Sequence, residues 1–473
     1  MDRRTFIKAS GAAAVAGVVG VPAIGGGASK LALLGGTPVV DAAMRKASRA
    51  TFAWPIVNEA MRKANDRVLC ERNMSGTDIA DEFERKFAKW NGTKYASSAP
   101  NGTAALAAAF YAIGLKPGDE LICPSITYWA SCISALHLGA SVIFCDINGD
   151  DLTADPASIE AHITPRTKAI VVVHVYGQPC DMDPIMAIAK RHGLKVVEDV
   201  SHAQGGLYKG RKLGTIGDVG AMSLMTGKSF AIGEGGILVT DDREIYRRAV
   251  RWGQYERIGR CWSKDEFAGT NRIPVGGVKN RLNQCSAAIG IEQLKKYDPE
   301  CAEIERAMLY YWDGLKDVAG LSFIYPKYPN SNKAGWYYSR AIYDASKMKG
   351  VSAATFCDAL RAEVGGHYSI GCNFPLHTSN LFDSFDVFGD GRPLARRNLP
   401  DGVSPAAITG RLPVAESLDG RVFGDPVFKH FDKPLIDKYV EAVHKVAANL
   451  DALRGWKQTK PDEDALPGWQ RKG

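Results

Sequence analysis

The chain has 473 residues, 45% of them hydrophobic and 23% charged, with a formal charge of +7. These are proportions of a soluble globular protein. The length suggests two domains, because a single core seldom grows past ~250 to 300 residues. The charge is mild and no Lys/Arg block carries interleaved aromatics, which argues against nucleic acid as a partner. Ten cysteines form no C-x-x-C pair and no His/Cys spacing of a zinc site, so neither a disulfide framework nor a metal is expected.

The first 30 residues stand apart. "DRRTFIKAS" precedes "GAAAVAGVVGVPAIGGGAS", an apolar run too short to span a bilayer comfortably, which takes ~20 apolar residues. Arg3-Arg4 with Phe6 and Lys8 is similar to a twin-arginine export signal. Residues 1–29 are therefore expected to be a leader that sends a folded protein to the periplasm, and no integral membrane segment is expected. If the leader does not function, the chain stays cytoplasmic.

From Val57 to Trp90 the apolar spacing is helical, with Phe83 and Phe87 one turn apart. "NGTAALAAAFYAIGL" reads as a turn feeding an Ala-rich helix. Strand-like and helical runs then alternate: "ELICPSITY", "ASCISALHLG", "ASVIFCDI", "KAIVVVHVYG", "MDPIMAIAKRHG" and "KVVEDV". Continuous Val/Ile runs in this alternation predict a mostly parallel sheet covered by helices on both faces. "VGAMSLM" and "GGILVTD" flank Lys228 as two short strands close enough to pair antiparallel. A long helix starts at "CSAAIGIEQLKKYD" and is expected to break near Pro299. After Val318 the pattern suggests a smaller α+β domain. The expected boundaries are 30–317 for the large domain with its N-terminal segment, 318–458 for the small one, and 459–473 for a polar tail.

Ligands of α/β sheets sit beyond the carboxyl ends of the strands, so polar residues there are the candidates. Gly102, Thr103 and Ala104 open a helix and can turn N–H groups toward an anion. Asp199 ends a buried strand, where a carboxylate must be paired, and His202 follows it by three. Tyr128 and Trp129 follow another strand and offer a flat ring. Ser223 precedes Lys228 by five residues, and the Lys228 turn carries glycines at 227, 233, 235 and 236 with no i,i+4 carboxylate. Singly, each also reads as an ordinary cap, core aromatic or loop residue. Together they match what pyridoxal phosphate requires: an anion cradle for the phosphate, a stacking ring, a carboxylate for the pyridine nitrogen and a lysine for the aldehyde.

The chain resembles the DegT/DnrJ/EryC1/StrS family of pyridoxal-phosphate-dependent sugar aminotransferases, within the fold type I aspartate aminotransferase superfamily. "FERKFAKWNGTKYA", "NGTAAL", "LKPGDELICPSITYWAS", "VVEDVSHAQGGLYKGRKLGTIGD", "GKSFAIGEGGILVTDD", "RLNQCSAAIGIEQLKK" and "FPLH" carry the likeness in order. The resemblance implies a three-layer αβα large domain and makes Lys228 the Schiff-base lysine and general acid/base. It makes Asp199 the partner of the pyridine nitrogen, His202 a neighbour of the phenolic oxygen and Tyr128 the stacking ring. Gly102, Thr103 and Ser223 become phosphate contacts, and His377 lies on the substrate side. Relatives with histidine in place of the lysine act as sugar dehydratases. Many members carry an asparagine that reaches the phosphate of the neighbouring subunit's cofactor. Aligning on Ala287-Ala288 puts Lys279 in that slot, with Asn280 next, so a homodimer with shared sites is implied. The expected reaction moves an amino group from glutamate or glutamine to a keto-sugar or keto-cyclitol. A dehydratase or lyase on the same cofactor, and a non-catalytic cofactor-binding regulator, are the alternatives.

Overall fold

A computed structural model describes residues 29–456 apart from 264 and 268. Residues 1–28 of the expected leader and the expected polar tail lie outside the described residues, of which no helix is long and apolar enough to cross a membrane. All ten cysteines are free thiols.

The central sheet has seven strands. They are β1 (Tyr95–Ala99), β2 (Glu120–Pro124), β3 (Ser141–Cys145), β4 (Thr167–Val173), β5 (Lys195–Asp199) and, after a small hairpin of β6 (Leu207–Tyr208) and β7 (Arg211–Lys212), β8 (Val219–Ser223) and β9 (Gly236–Thr240). Their order is β1-β9-β8-β5-β4-β2-β3, and β9 alone runs antiparallel to its neighbours. The carboxyl ends of the other six therefore share one edge, where the turns after them can meet around one ligand.

The helices used below are α1 (Glu59–Cys70), α2 (Asp78–Asn91), α3 (Gly102–Ala112), α4 (Met182–His192), α5 (Arg243–Gly253), α6 (Gln284–Asp313), α7 (Ala353–Val364) and α8 (Lys433–Ala448). Successive strand residues point to opposite faces. Val142, Phe144 and Val171 enter one buried cluster with Leu106 and Phe110 of α3. Ile143, Val172 and Val196 enter the other with Phe83 and Phe87 of α2. The αβα layering expected from the sequence is present.

Strand β1 was not legible in advance. Its residues are small and polar, and its place depends on partners distant in sequence. Ser98 donates through both N–H and Oγ to Glu84 at 2.6 Å, and the strand pairs with β9 from Tyr95↔Thr240 to Ala99↔Gly236. The break expected near Pro299 is absent, since α6 runs unbroken through it. A proline inside a helix costs ~3 kcal/mol. Here Ile291 and Tyr297 before it are buried in the sheet's cluster, and Ile304, Met308 and Tyr311 after it in a third cluster. Burial of large apolar side chains at ~1.5 to 3 kcal/mol each offsets the lost bond.

That third cluster surrounds a four-stranded antiparallel sheet of β10 (Leu321–Phe323), β11 (Ser339–Tyr343), β12 (Ser369–Ile370) and β13 (Val422–Asp425), ordered β10-β11-β13-β12. Leu31 and Val40 belong to it too, and the carboxylate of Glu363 on α7 accepts the N–H groups of Ala32 and Val39. The segment that opens the described chain is thus tied to its last third.

Candidate active site

Asn101 caps α3, accepting the Ala104 N–H at 2.9 Å through its side chain. The Gly102 and Thr103 N–H groups in the same turn have no acceptor among the described residues. This helix start abuts the end of β8, since a Cβ on Gly102 would lie 2.6 Å from the Cβ of Ser223. Opposite Ser223 in the β8–β9 register is Gly236, where a Cβ would fall 2.2 Å from the Asn101 carbonyl. Two glycines therefore let a helix start abut a strand pair, leaving two N–H groups and the proton of Ser223 Oγ, whose oxygen accepts the Met225 N–H at 3.4 Å, to meet an anion. Gly102→Ala should weaken retention of a phosphate-bearing cofactor at least ~10-fold, a loss of about 1.4 kcal/mol, without unfolding the chain. Equilibrium titration of the cofactor reads this, and unchanged affinity would remove Gly102 from the cradle.

Asp199, 4% exposed, ends β5. One oxygen accepts from Ser131 Oγ at 2.7 Å and the other from the Ser201 N–H at 3.0 Å. Ser131 has a single hydroxyl proton and spends it on the carboxylate, so Thr127 Oγ1, 2.8 Å away, donates to Ser131. The preceding Glu198 points to the other face and does separate work. It accepts N–H groups from Gly214, Ile216 and Gly217 at 2.6–2.8 Å and the Nε2 proton of buried His174 at 3.1 Å. Burial opposes the Glu198 charge, but His174 and these N–H groups hold its carboxyl below the usual range.

His202 accepts the Tyr176 N–H at Nδ1, 3.2 Å, which leaves the ring proton on Nε2. Burial, then the charges of Lys228 and Arg340, push its pKa well below the ordinary value, so the ring is neutral. Tyr337 stacks on it at 4.3 Å and Tyr176 lies parallel at 5.9 Å. Tyr176 holds a left-handed φ of 53° in the turn after β4.

Lys228 is 8% exposed. Its backbone is pinned from both sides: its N–H donates to Met225 O, and its carbonyl accepts from Trp54 Nε1 at 2.8 Å. Among the described residues the amine has no hydrogen-bond acceptor, and Nζ rests 4.1 Å from the Tyr337 ring centroid. Burial lowers its pKa to about 8, against the opposing pull of the Asp199 carboxylate. A lysine of this kind sheds its proton far more readily than an exposed one.

The other candidates are placed less centrally. Tyr128 and Trp129 are 45% and 43% exposed, with rings 4.8 Å apart, beyond the end of β2. Lys279 is exposed, 5.1 Å from the Tyr255 ring, whereas Asn280 is buried and its amide donates to Ala104 O at 3.5 Å. Of the two, Lys279 faces outward. His377 is partly buried, its side chain 8% exposed, with Nδ1 2.7 Å from Ser125 Oγ and Nε2 3.4 Å from Glu416. Both ring nitrogens are engaged within the chain.

Sequence reasoning missed Tyr337, Arg340, Tyr176 and Trp54. "GWYYSR", with three aromatics before an arginine, was the available signal, and it passed only as part of the smaller α+β domain.

Sheet, cradle, carboxylate and desolvated lysine come together at one edge of an α/β enzyme fold. The chain belongs to the DegT/DnrJ/EryC1/StrS aminotransferase family, whose model matches residues 56–404, and it is an aminotransferase. Aminotransferases of this family are pyridoxal-phosphate-dependent. It is 41% identical to the GDP-perosamine synthase of Caulobacter vibrioides over 49% of this chain, spanning 60% of that relative. It is 32% identical to the L-glutamine:2-deoxy-scyllo-inosose aminotransferase of Streptoalloteichus tenebrarius, covering 90% of this chain and 99% of that protein. Among solved structures it is similar to an aminotransferase from Psychrobacter cryohalolentis, with a TM-score of 0.71, 28% identity and coverage of 84% and 99%.

Proposed function

We propose that the chain binds pyridoxal phosphate and transfers the amino group of glutamine or glutamate to the carbonyl of a keto-cyclitol or keto-sugar. The observation that carries this is Lys228: a buried amine without a hydrogen-bond acceptor among the described residues, in the field of Asp199, beyond the same sheet edge as an anion cradle. When bound, the cofactor supplies a reactive aldehyde and an electron-withdrawing ring. Gly102 and Thr103 N–H groups with Ser223 Oγ hold its phosphate, and Tyr128 offers the face for its ring. Asp199 keeps a proton on the ring nitrogen. Neutral His202 would offer its Nε2 proton to the phenolic oxygen, and Lys228 Nζ would take up and return a proton as the general acid/base. Full-length similarity to a glutamine:inosose aminotransferase favours a cyclitol, with glutamine as donor. Single-turnover assays with amino acids, followed by keto-cyclitols and keto-sugars, test the reading. Ammonia or water release without a 2-oxo acid would favour a lyase or dehydratase instead.

The functional unit in this reading is a homodimer in which Lys279 reaches the phosphate held by the other copy. Outward-facing Lys279 is flanked by exposed Tyr255, Ile273, Val275 and Val278, apolar surface that a second copy would cover. Inactive Lys228→Ala and weakened Lys279→Ala chains, once co-refolded, should recover roughly a quarter of wild-type activity, because one site in each mixed dimer is intact. Activity no greater than the two variants show separately would contradict a shared site. The twin-arginine leader points to export of the folded holoenzyme, and mass spectrometry of the N-terminus in cell fractions tests it.

A further inference from the structure

Lys228 has two tasks in the proposed reaction: to be bound to the cofactor, and to be free while moving protons. A free ammonium in a site that has excluded water needs a stabilising neighbour. Among the described residues no oxygen accepts from Nζ, and the group it touches is the face of Tyr337, 4.1 Å away. Cation–π attraction operates within ~6 Å of a ring centroid and strengthens with desolvation. The ring is also held firmly. It stacks on His202 at 4.3 Å with 26° between planes and packs on Tyr338 at 4.2 Å. It lies two residues before the start of β11, whose Ser339 pairs with Asp425. Two residues earlier, Gly335 lies so close to the lysine's own turn that a Cβ there would fall 2.6 Å from the Cβ of Ser229. The strand end that carries the ring and the turn that carries the amine are therefore packed as one piece.

We propose that Tyr337 is the rest site of Lys228, its ring face holding the uncombined amine between covalent engagement and proton transfer. The inference rests on the aminotransferase reading and deepens it. A ring face suits this task better than a carboxylate does. It attracts the ammonium without a directional hydrogen bond, so the amine can leave it for the cofactor or the substrate carbon. The titratable groups that face the amine are Asp199 from β5, His202 from the turn after it, and Tyr337 itself. Tyr337 acts on Lys228 and is a positioning residue.

The test reads Lys228 in the cofactor-free full chain, by reductive methylation across pH and peptide mass spectrometry. The ring favours the charged amine, so removing its face should make the amine easier to deprotonate. Tyr337→Phe should keep the wild-type midpoint. Tyr337→Leu should lower it by about 0.7 to 1.5 pH units, the equivalent of a 1–2 kcal/mol cation–π contact. Progressively fluorinated phenylalanines at 337 keep the shape while draining the ring face, and should lower the midpoint stepwise even if the leucine variant does not fold. A flat fluorination series, or a phenylalanine variant as low as the leucine one, would overturn the inference. The aminotransferase reading fails differently, through a wild-type chain whose Lys228 acquires no borohydride-fixed cofactor.

Discussion

Lys228→Ala should abolish amino transfer, lowering turnover by at least about a thousandfold, because one side chain is both the covalent anchor and the proton carrier. The fold should survive. The contacts that tie residue 228 to the rest of the chain are made by its backbone, to Met225 O and from Trp54 Nε1, and an alanine keeps both. Losing a desolvated cation also removes a group that burial disfavours, so thermal stability of the cofactor-free chain should hold or rise. The variant should bind pyridoxal phosphate through the cradle without forming an adduct that borohydride can fix. An active variant with a reducible adduct would mean that another amine does the chemistry. Buried Lys333 and Lys429, whose pKa values burial lowers to about 7 and about 8, are the amines to examine in that case.

Asp199→Asn should lower turnover by roughly 10² to 10³, the scale of losing one preorganised electrostatic group, while the cofactor stays bound. Asparagine matches the carboxylate in size: its Oδ1 can accept from the Ser201 N–H while its Nδ2 donates to Ser131 Oγ, which then turns its own proton to Thr127 Oγ1, so the site keeps its packing and loses its charge. A second consequence follows on Lys228. The Asp199 charge raises the lysine's pKa against its burial, so neutralising it should move the pH midpoint for reaction of Lys228 below about 8. Near-normal turnover with an unmoved midpoint would show that Asp199 is not coupled to the lysine.

Much of the scaffold was readable because its signals are local. Runs such as "AIVVV" and "VVED" can only be buried strands, and alternation along the chain implied the parallel sheet. Two of the glycines singled out in the sequence, Gly102 and Gly236, sit at close approaches, to Ser223 and to the Asn101 carbonyl. What escaped depends on contacts far apart in sequence. Ser97 and Ser98 form a strand because Glu84 and β9 satisfy them. Pro299 sits inside a helix because two separate clusters hold its flanks. Tyr337 and Trp54 reach Lys228 across more than a hundred residues, and no periodicity encodes such a meeting. Glu198 and Asp199 are adjacent and alike in sequence, yet strand alternation separates a carboxylate that braces a turn from one that serves the site.

The account's central claim is amino transfer at Lys228, and one measurement tests it most directly. Holoenzyme mixed with α-15N-labelled L-glutamine, then with a keto-cyclitol, should yield one 2-oxo acid per turnover and a product amine carrying the label. The same sample, reduced with borohydride before the donor is added, should show the cofactor fixed on the Lys228 peptide. Unlabelled product, or ammonia released without the oxo acid, would contradict it.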